Sequence, residues 1–203
     1  MIDHDPTRRE LLGGGVATTA AVALAATAPS LLAPLSALAA PVGDGAVLAS
    51  LLRVERVVVF AYERALATTA LTPAVQQLLS SFLAHERAHV QALAANLTSL
   101  GSAVPAPLKD TAAFASELRQ LRVGRSPPQL RNERQHVRSL IDLETVIARH
   151  YRYAIARLSA GKELSIASEI MANEAQHATI LRELLSPGNV KRAVPSAFVA
   201  GKT

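Results

Sequence analysis

Glu-x-x-His occurs twice in this chain, as Glu86 and His89 in LAHERAHVQAL and as Glu174 and His177 in MANEAQHATIL. On a helix, residues three apart share one face, so the carboxylate and the imidazole can both reach one bound ion. Each motif is preceded by a lone glutamate, Glu55 in RVERVVVFAYERAL and Glu144 in DLETVIARHYRYAI. Glu86 follows Glu55 by 31 positions, and Glu174 follows Glu144 by 30. A tyrosine stands seven residues after each lone glutamate (Tyr62, Tyr151), and a leucine four after each histidine (Leu93, Leu181). The chain reads as one helical hairpin used twice, and the repeated features are the polar ones.

Each of these four glutamates falls in the middle of an apolar stripe. Leu51, Leu52, Val58 and Val59 flank Glu55 at helical spacing, and Leu79, Phe82, Leu83 and Val90 flank Glu86. Leu140, Ile141 and Ile147 surround Glu144, and Ile170, Met171 and Ala178 surround Glu174. Such stripes face a core. An unpaired ionised carboxylate there costs several kcal/mol, or takes up a proton. One remedy is a metal-free polar core in which the carboxylates are protonated or bonded to Arg and Tyr. The other is shared cations. Four carboxylates neutralise two divalent ions, and two imidazoles complete a shell of six ligands: Glu55, Glu86, His89, Glu144, Glu174 and His177. Oxygen-rich donors with some nitrogen suit iron or manganese better than calcium or copper.

The remaining polar residues read more plainly. Tyr62 and Tyr151 are either core tyrosines with a hydroxyl partner or donors that orient a ligand carboxylate. His85 points off the seam, solvated or capping. His136 and His150 lack a carboxylate at ligand spacing and read as surface residues. Glu63, Glu163, Glu169 and Glu183 read as solvated faces, and RQLRVGR (119–125) as a solvated crossover.

To bring six ligands to one point, the chain needs four long helices. Apolar residues recur at three and four over 45–68, 72–100, 127–159 and 163–186. Nothing alternates at two, and RVVVFAY, though β-branched, sits inside a helical period. Thr72-Pro73 predicts an N-cap with proline at the first helical position. Ser126-Pro127-Pro128-Gln129 predicts the same, with Gln129 closing a capping box. Gly161 is expected to break the third segment from the fourth, and Ser186-Pro187-Gly188 to end the fourth. A short helix near 110–122, capped by Asp110, is expected inside the long 101–126 connection. Short, long, short connections predict an all-α fold: an antiparallel four-helix bundle of two hairpins joined by one long crossover.

The first 39 residues read as an address. Arg8 and Arg9 precede a Gly/Ala-rich apolar run that ends in Ala37-Leu38-Ala39, a pattern that resembles a twin-arginine export signal cleaved before Ala40. Residues 40–203 then form the domain. Uncleaved, the run is long enough to anchor the chain in a membrane. The formal charge is +5, without a basic run interleaved with aromatics, so nucleic-acid binding is not expected. The absence of cysteine excludes disulfides, thiolate-held zinc, iron–sulfur clusters and thiol nucleophiles.

With that order of ligands, Glu, Glu-x-x-His, Glu, Glu-x-x-His, the segment 45–186 resembles the ferritin-like di-iron carboxylate proteins, in an exported form. The resemblance implies two iron ions, with manganese the alternative, held by the six residues above. In such families the glutamate of each Glu-x-x-His commonly bridges the ions. It implies dioxygen or hydrogen peroxide as substrate, in a ferroxidase or peroxide-detoxifying oxidoreductase. The competing reading is a structural or binding bundle of the cell envelope, metal-free or with a static metal. Export implies the twin-arginine translocon as a partner and a periplasmic, envelope or extracellular location. Homo-oligomers are known in the family. The cysteine-ligated electron-donor module of rubrerythrin-type relatives has no counterpart here.

Overall fold

The computed structural model describes residues 43–122 and 130–196. Among them are six helices: α1 (Asp44–Leu66), α2 (Pro73–Ser99), α3 (Thr111–Gln120), α4 (Glu133–Ile155), α5 (Gly161–Leu185) and α6 (Val190–Ala193). The long ones, α1, α2, α4 and α5, form the bundle. Packing is most extensive within the hairpins α1–α2 and α4–α5, less so between α1 and α4, and sparsest between α2 and α5. RVVVFAY is helical, with Val57 and Val58 buried. No described residue is in a strand. No described helix is long and apolar enough to cross a membrane.

The core is a stack of aliphatic side chains from all four long helices, among them Leu48, Leu52, Leu79, Leu93, Leu97, Ile147 and Leu181, each fully buried. The short connection between α1 and α2 is tied to α4 where Thr72 N–H donates to Glu133 Oε2 at 2.6 Å. The turn between α4 and α5 is tied to α1 in the same way. Asp44 accepts from the backbone N–H of Ser159 (3.0 Å) and Ala160 (2.9 Å), which also hold its carboxyl below the usual carboxylate range.

The crossover begins with a Schellman turn at the end of α2. Gly101, at φ +64°, donates to Thr98 O, while Ser102 N–H reaches back to Leu97 O. The chain then lies against α1. A Cβ on Gly45 would stand 2.1 Å from Ser102 Oγ, so only glycine permits that approach. The expected short helix is present as α3, with Asp110 Oδ1 accepting from Ala113 N–H at 2.8 Å. Phe114 anchors it on α1 through Phe60, with ring centroids 4.6 Å apart.

Three expectations about helix ends need correction. Residues 130–132 precede α4 and are not helical, so the third long helix starts at Glu133 rather than 127, and Ser126–Gln129 lies outside the described residues. Its cap is Asn132, whose Oδ1 accepts from Gln135 N–H at 3.0 Å while Gln135 Oε1 accepts from Arg131 N–H. Gly161 does not separate two helices but is the first residue of α5, after Ala160 as N-cap. Thr72 has the extended backbone of an N-cap, with Pro73 after it, but its side chain makes no capping hydrogen bond. Residues 1–39 lie outside the described residues.

Candidate metal centre

Glu55 comes from α1, Glu86 and His89 from α2, Glu144 from α4, and Glu174 and His177 from α5. All six converge. The four glutamates are fully buried, His177 is 1% exposed, and His89 is partly exposed. They form two overlapping groups: Glu55, Glu86, His89 and Glu174, then Glu86, Glu144, Glu174 and His177, with one donor atom per residue inside 4.8 Å of the others. Glu86 and Glu174 belong to both. The two Glu-x-x-His carboxylates therefore stand between two poles, one capped by Glu55 and His89, the other by Glu144 and His177.

Both imidazoles aim Nδ1 inward. His89 Nδ1 lies 2.9 Å from Glu174 Oε1 and 3.4 Å from Glu86 Oε2. His177 Nδ1 lies 2.9 Å from Glu86 Oε1 and 3.7 Å from Glu144 Oε1. The contacts mirror each other: each histidine approaches the glutamate of the other motif more closely than its own.

Both tyrosines find a carboxylate partner in the core. Tyr62 OH donates to Glu144 Oε1, and Tyr151 OH donates to Glu55 Oε1. Each tyrosine thus grips the lone glutamate of the opposite hairpin. One oxygen of Glu55 and one of Glu144 is fixed this way, and the other, Oε2 in both, faces inward without a hydrogen-bond partner. Burial, and after it the charge of the bonded glutamate, holds both phenols well above their ordinary range, so they stay protonated donors.

Burial, then the Glu174 charge, raises Glu55 and Glu144 well above the usual carboxylate range. Burial also raises Glu174, but hydrogen bonds from Glu144, His177 and His89 bring it down to about 2. Burial lowers His89, yet Glu174, Glu55 and Glu86 outweigh it and push the imidazole up to about 12. His177 rises too, where Glu174 and Glu86 overcome its burial.

The residues fit a metal pair. Both Glu86 oxygens, both Glu174 oxygens, Oε2 of Glu55 and Glu144, and Nδ1 of His89 and His177 are buried and have no hydrogen-bond partner outside the cluster. Buried polar atoms are ordinarily satisfied. Eight Lewis-basic atoms turned toward one another, from carboxylates and imidazoles, make a cluster whose chemistry fits a ferritin-like metal site.

Elsewhere, sequence reasoning needs correction. His85 is exposed, as expected, but it is not a bystander: its Nδ1 lies 3.0 Å from His177 Nε2. His136 is buried rather than superficial, and burial lowers its pKa. His150 is half-buried, with Nδ1 on Val146 O. Glu163 is 4% exposed, in the first turn of α5 where free backbone N–H groups favour a carboxylate. Glu63 is a surface residue as expected, paired with Arg87 at 2.8 Å.

Residues 43–187 match a family model described as the ferritin-like domain. A crystal structure of a conserved hypothetical protein from Mycobacterium tuberculosis is similar, with TM-score 0.58 and 19% sequence identity, over 70% of this chain and 96% of that one. At that identity the likeness speaks for the fold. No curated protein matches the chain.

Proposed function

The chain belongs to the ferritin-like domain family, and from that premise we propose that it binds two iron ions, or manganese in their place, and reacts with dioxygen or hydrogen peroxide. The observation that carries this reading is the pair of overlapping donor groups sharing Glu86 and Glu174. A lone site would need neither the repetition nor the shared carboxylates. When bound, a pair of ferrous ions supplies the electrons that reduce dioxygen or peroxide.

The protein's own part is to hold and to exclude. Glu55 and Glu144 would each serve one ion, kept in place by Tyr151 and Tyr62. Glu86 and Glu174 would lie across both, with His89 and His177 at the ends. Four carboxylates balance two divalent charges, which removes the need for the protons held by Glu55 and Glu144 in the metal-free state. Leu52, Ile147 and the other buried aliphatics around the cluster shut out bulk water, so the donors stay fixed and the local dielectric low.

The test is anaerobic addition of Fe(II) followed by oxygen. A ferric absorbance should appear at about two irons per chain, and Glu86→Ala should abolish it. No uptake would refute the reading and leave a structural bundle. We propose also that residues 1–39 direct export through the twin-arginine translocon to the periplasm, envelope or exterior. Replacing Arg8 and Arg9 by lysine should then retain the protein in the cytoplasm; unchanged secretion would refute that.

A further inference from the structure

The two halves repeat their ligands but not the residue before each Glu-x-x-His glutamate. That place holds His85 in α2 and Asn173 in α5. His85 lays its ring beside His177, at 5.3 Å between centroids and 11° between planes, with Nδ1 3.0 Å from His177 Nε2. Phe82 stacks on the same imidazole at 4.1 Å. A neutral imidazole that offers Nδ1 to an ion carries its proton on Nε2. With an ion on its Nδ1, His177 would therefore be the donor and His85 Nδ1 the acceptor.

Among the described residues nothing does this for His89. Asn173 Oδ1, at the equivalent place, is buried without a hydrogen-bond partner. The His89 side chain also keeps 11% of its exposure, against 1% for His177. One imidazole is buttressed and covered, while the other has no such buttress among the described residues and keeps some exposure.

We propose that His85 is a positioning residue that makes the two ion positions unequal: the one at Glu144 and His177 binds tightly, and the one at Glu55 and His89 exchanges. The inference rests on the metal-binding reading above. A hydrogen bond to the outer nitrogen fixes ring orientation and strengthens the inner nitrogen as a ligand, and losing such a partner typically weakens binding about 10–100-fold. An ion should therefore load the covered position first and leave the other one first.

Calorimetric titration of the metal-free full chain with Co(II), followed also by the absorption of bound Co(II), tests this. The wild type should show two steps of distinct affinity. His85→Phe keeps a ring against His177 but has no acceptor, so the tight step should weaken about 10–100-fold with a changed Co(II) spectrum. His85→Asn places Oδ1 where Nδ1 stood, the same number of bonds from Cβ, and should restore the tight step. Equal affinities in the wild type, an unchanged His85→Phe isotherm, or an Asn variant as weak as Phe would each overturn the proposal while leaving the metal site standing. No Co(II) binding by the wild type would overturn both.

Discussion

Glu55→Gln should have opposite effects on the metal-free and the metal-loaded protein. In the metal-free state Glu55 is fully buried, with one oxygen held by Tyr151 and the other unpartnered beside His89 and Glu174. Glutamine keeps the shape and the acceptor for Tyr151, and its amide can donate to Glu174. Satisfying one orphaned atom is worth about 1–3 kcal/mol, which in a domain of this size is a rise in melting temperature of about 2–10 °C. The gain depends on pH. Burial and Glu174 raise the folded-state pKa of Glu55, so the wild type is stabilised by its proton below the ordinary carboxylate value and loses that stability as pH rises through the raised one. The glutamine variant has no such loss. The difference between them should therefore be small near pH 4 and grow toward pH 8. With Mn(II) the order reverses: at 100 times its dissociation constant an ion stabilises the wild type by about 2.7 kcal/mol, and the variant, lacking one ligand, should gain much less. Thermal melts with EDTA and with Mn(II), at both pH values, supply the four comparisons. A variant that melts lower than the wild type without metal, yet shows the full Mn(II) increment, would refute the reasoning.

Three further outcomes are expected. Tyr62→Phe and Tyr151→Phe each leave a buried carboxylate oxygen without its donor; each should cost about 1–3 kcal/mol in the metal-free protein and speed metal loss to a chelator, to similar extents because the two contacts mirror each other. Metal binding should release protons and tighten as pH rises from 6 to 8, because His89, pushed up to about 12, and the raised Glu55 and Glu144 must give up protons to coordinate; calorimetry in buffers of different ionisation enthalpy measures the count, and a pH-independent affinity would contradict it. Gly45→Ala should destabilise by about 1–3 kcal/mol through the clash with Ser102, and Ser102→Gly in the same chain should restore most of the loss, as a double-mutant melt would show.

The clustering of the six residues was legible because their polarity contradicts their surroundings. A glutamate amid Leu51, Leu52 and Val58 needs a partner inside the core, and its recurrence at matched spacing points to one shared centre. The Tyr–Glu contacts were half legible: seven residues place Tyr62 on the face of Glu55, yet its partner is Glu144, and that depends on how α1 meets α4. His85 was missed although a signal existed. It stands four before His89, so the two lie on one flank of α2, and that flank faces α5. The start of α4 was misplaced because two capping patterns compete, Ser126-Pro127-Pro128-Gln129 and Asn132-x-x-Gln135, and the structure uses the second. His136 and Glu163 were taken for surface residues because single polar residues at the margin of a stripe carry no periodic signal of burial; neighbouring elements cover them.

The exchange of tyrosines between hairpins means that injury to one half is felt in the other. Tyr62 belongs to the first hairpin, but the carboxylate it steadies belongs to the second, and Tyr151 returns the service. Neither half can shift on its own without disturbing a carboxylate of the other, so the two are yoked at their centre, while at its edge they differ, as at His85 and Asn173.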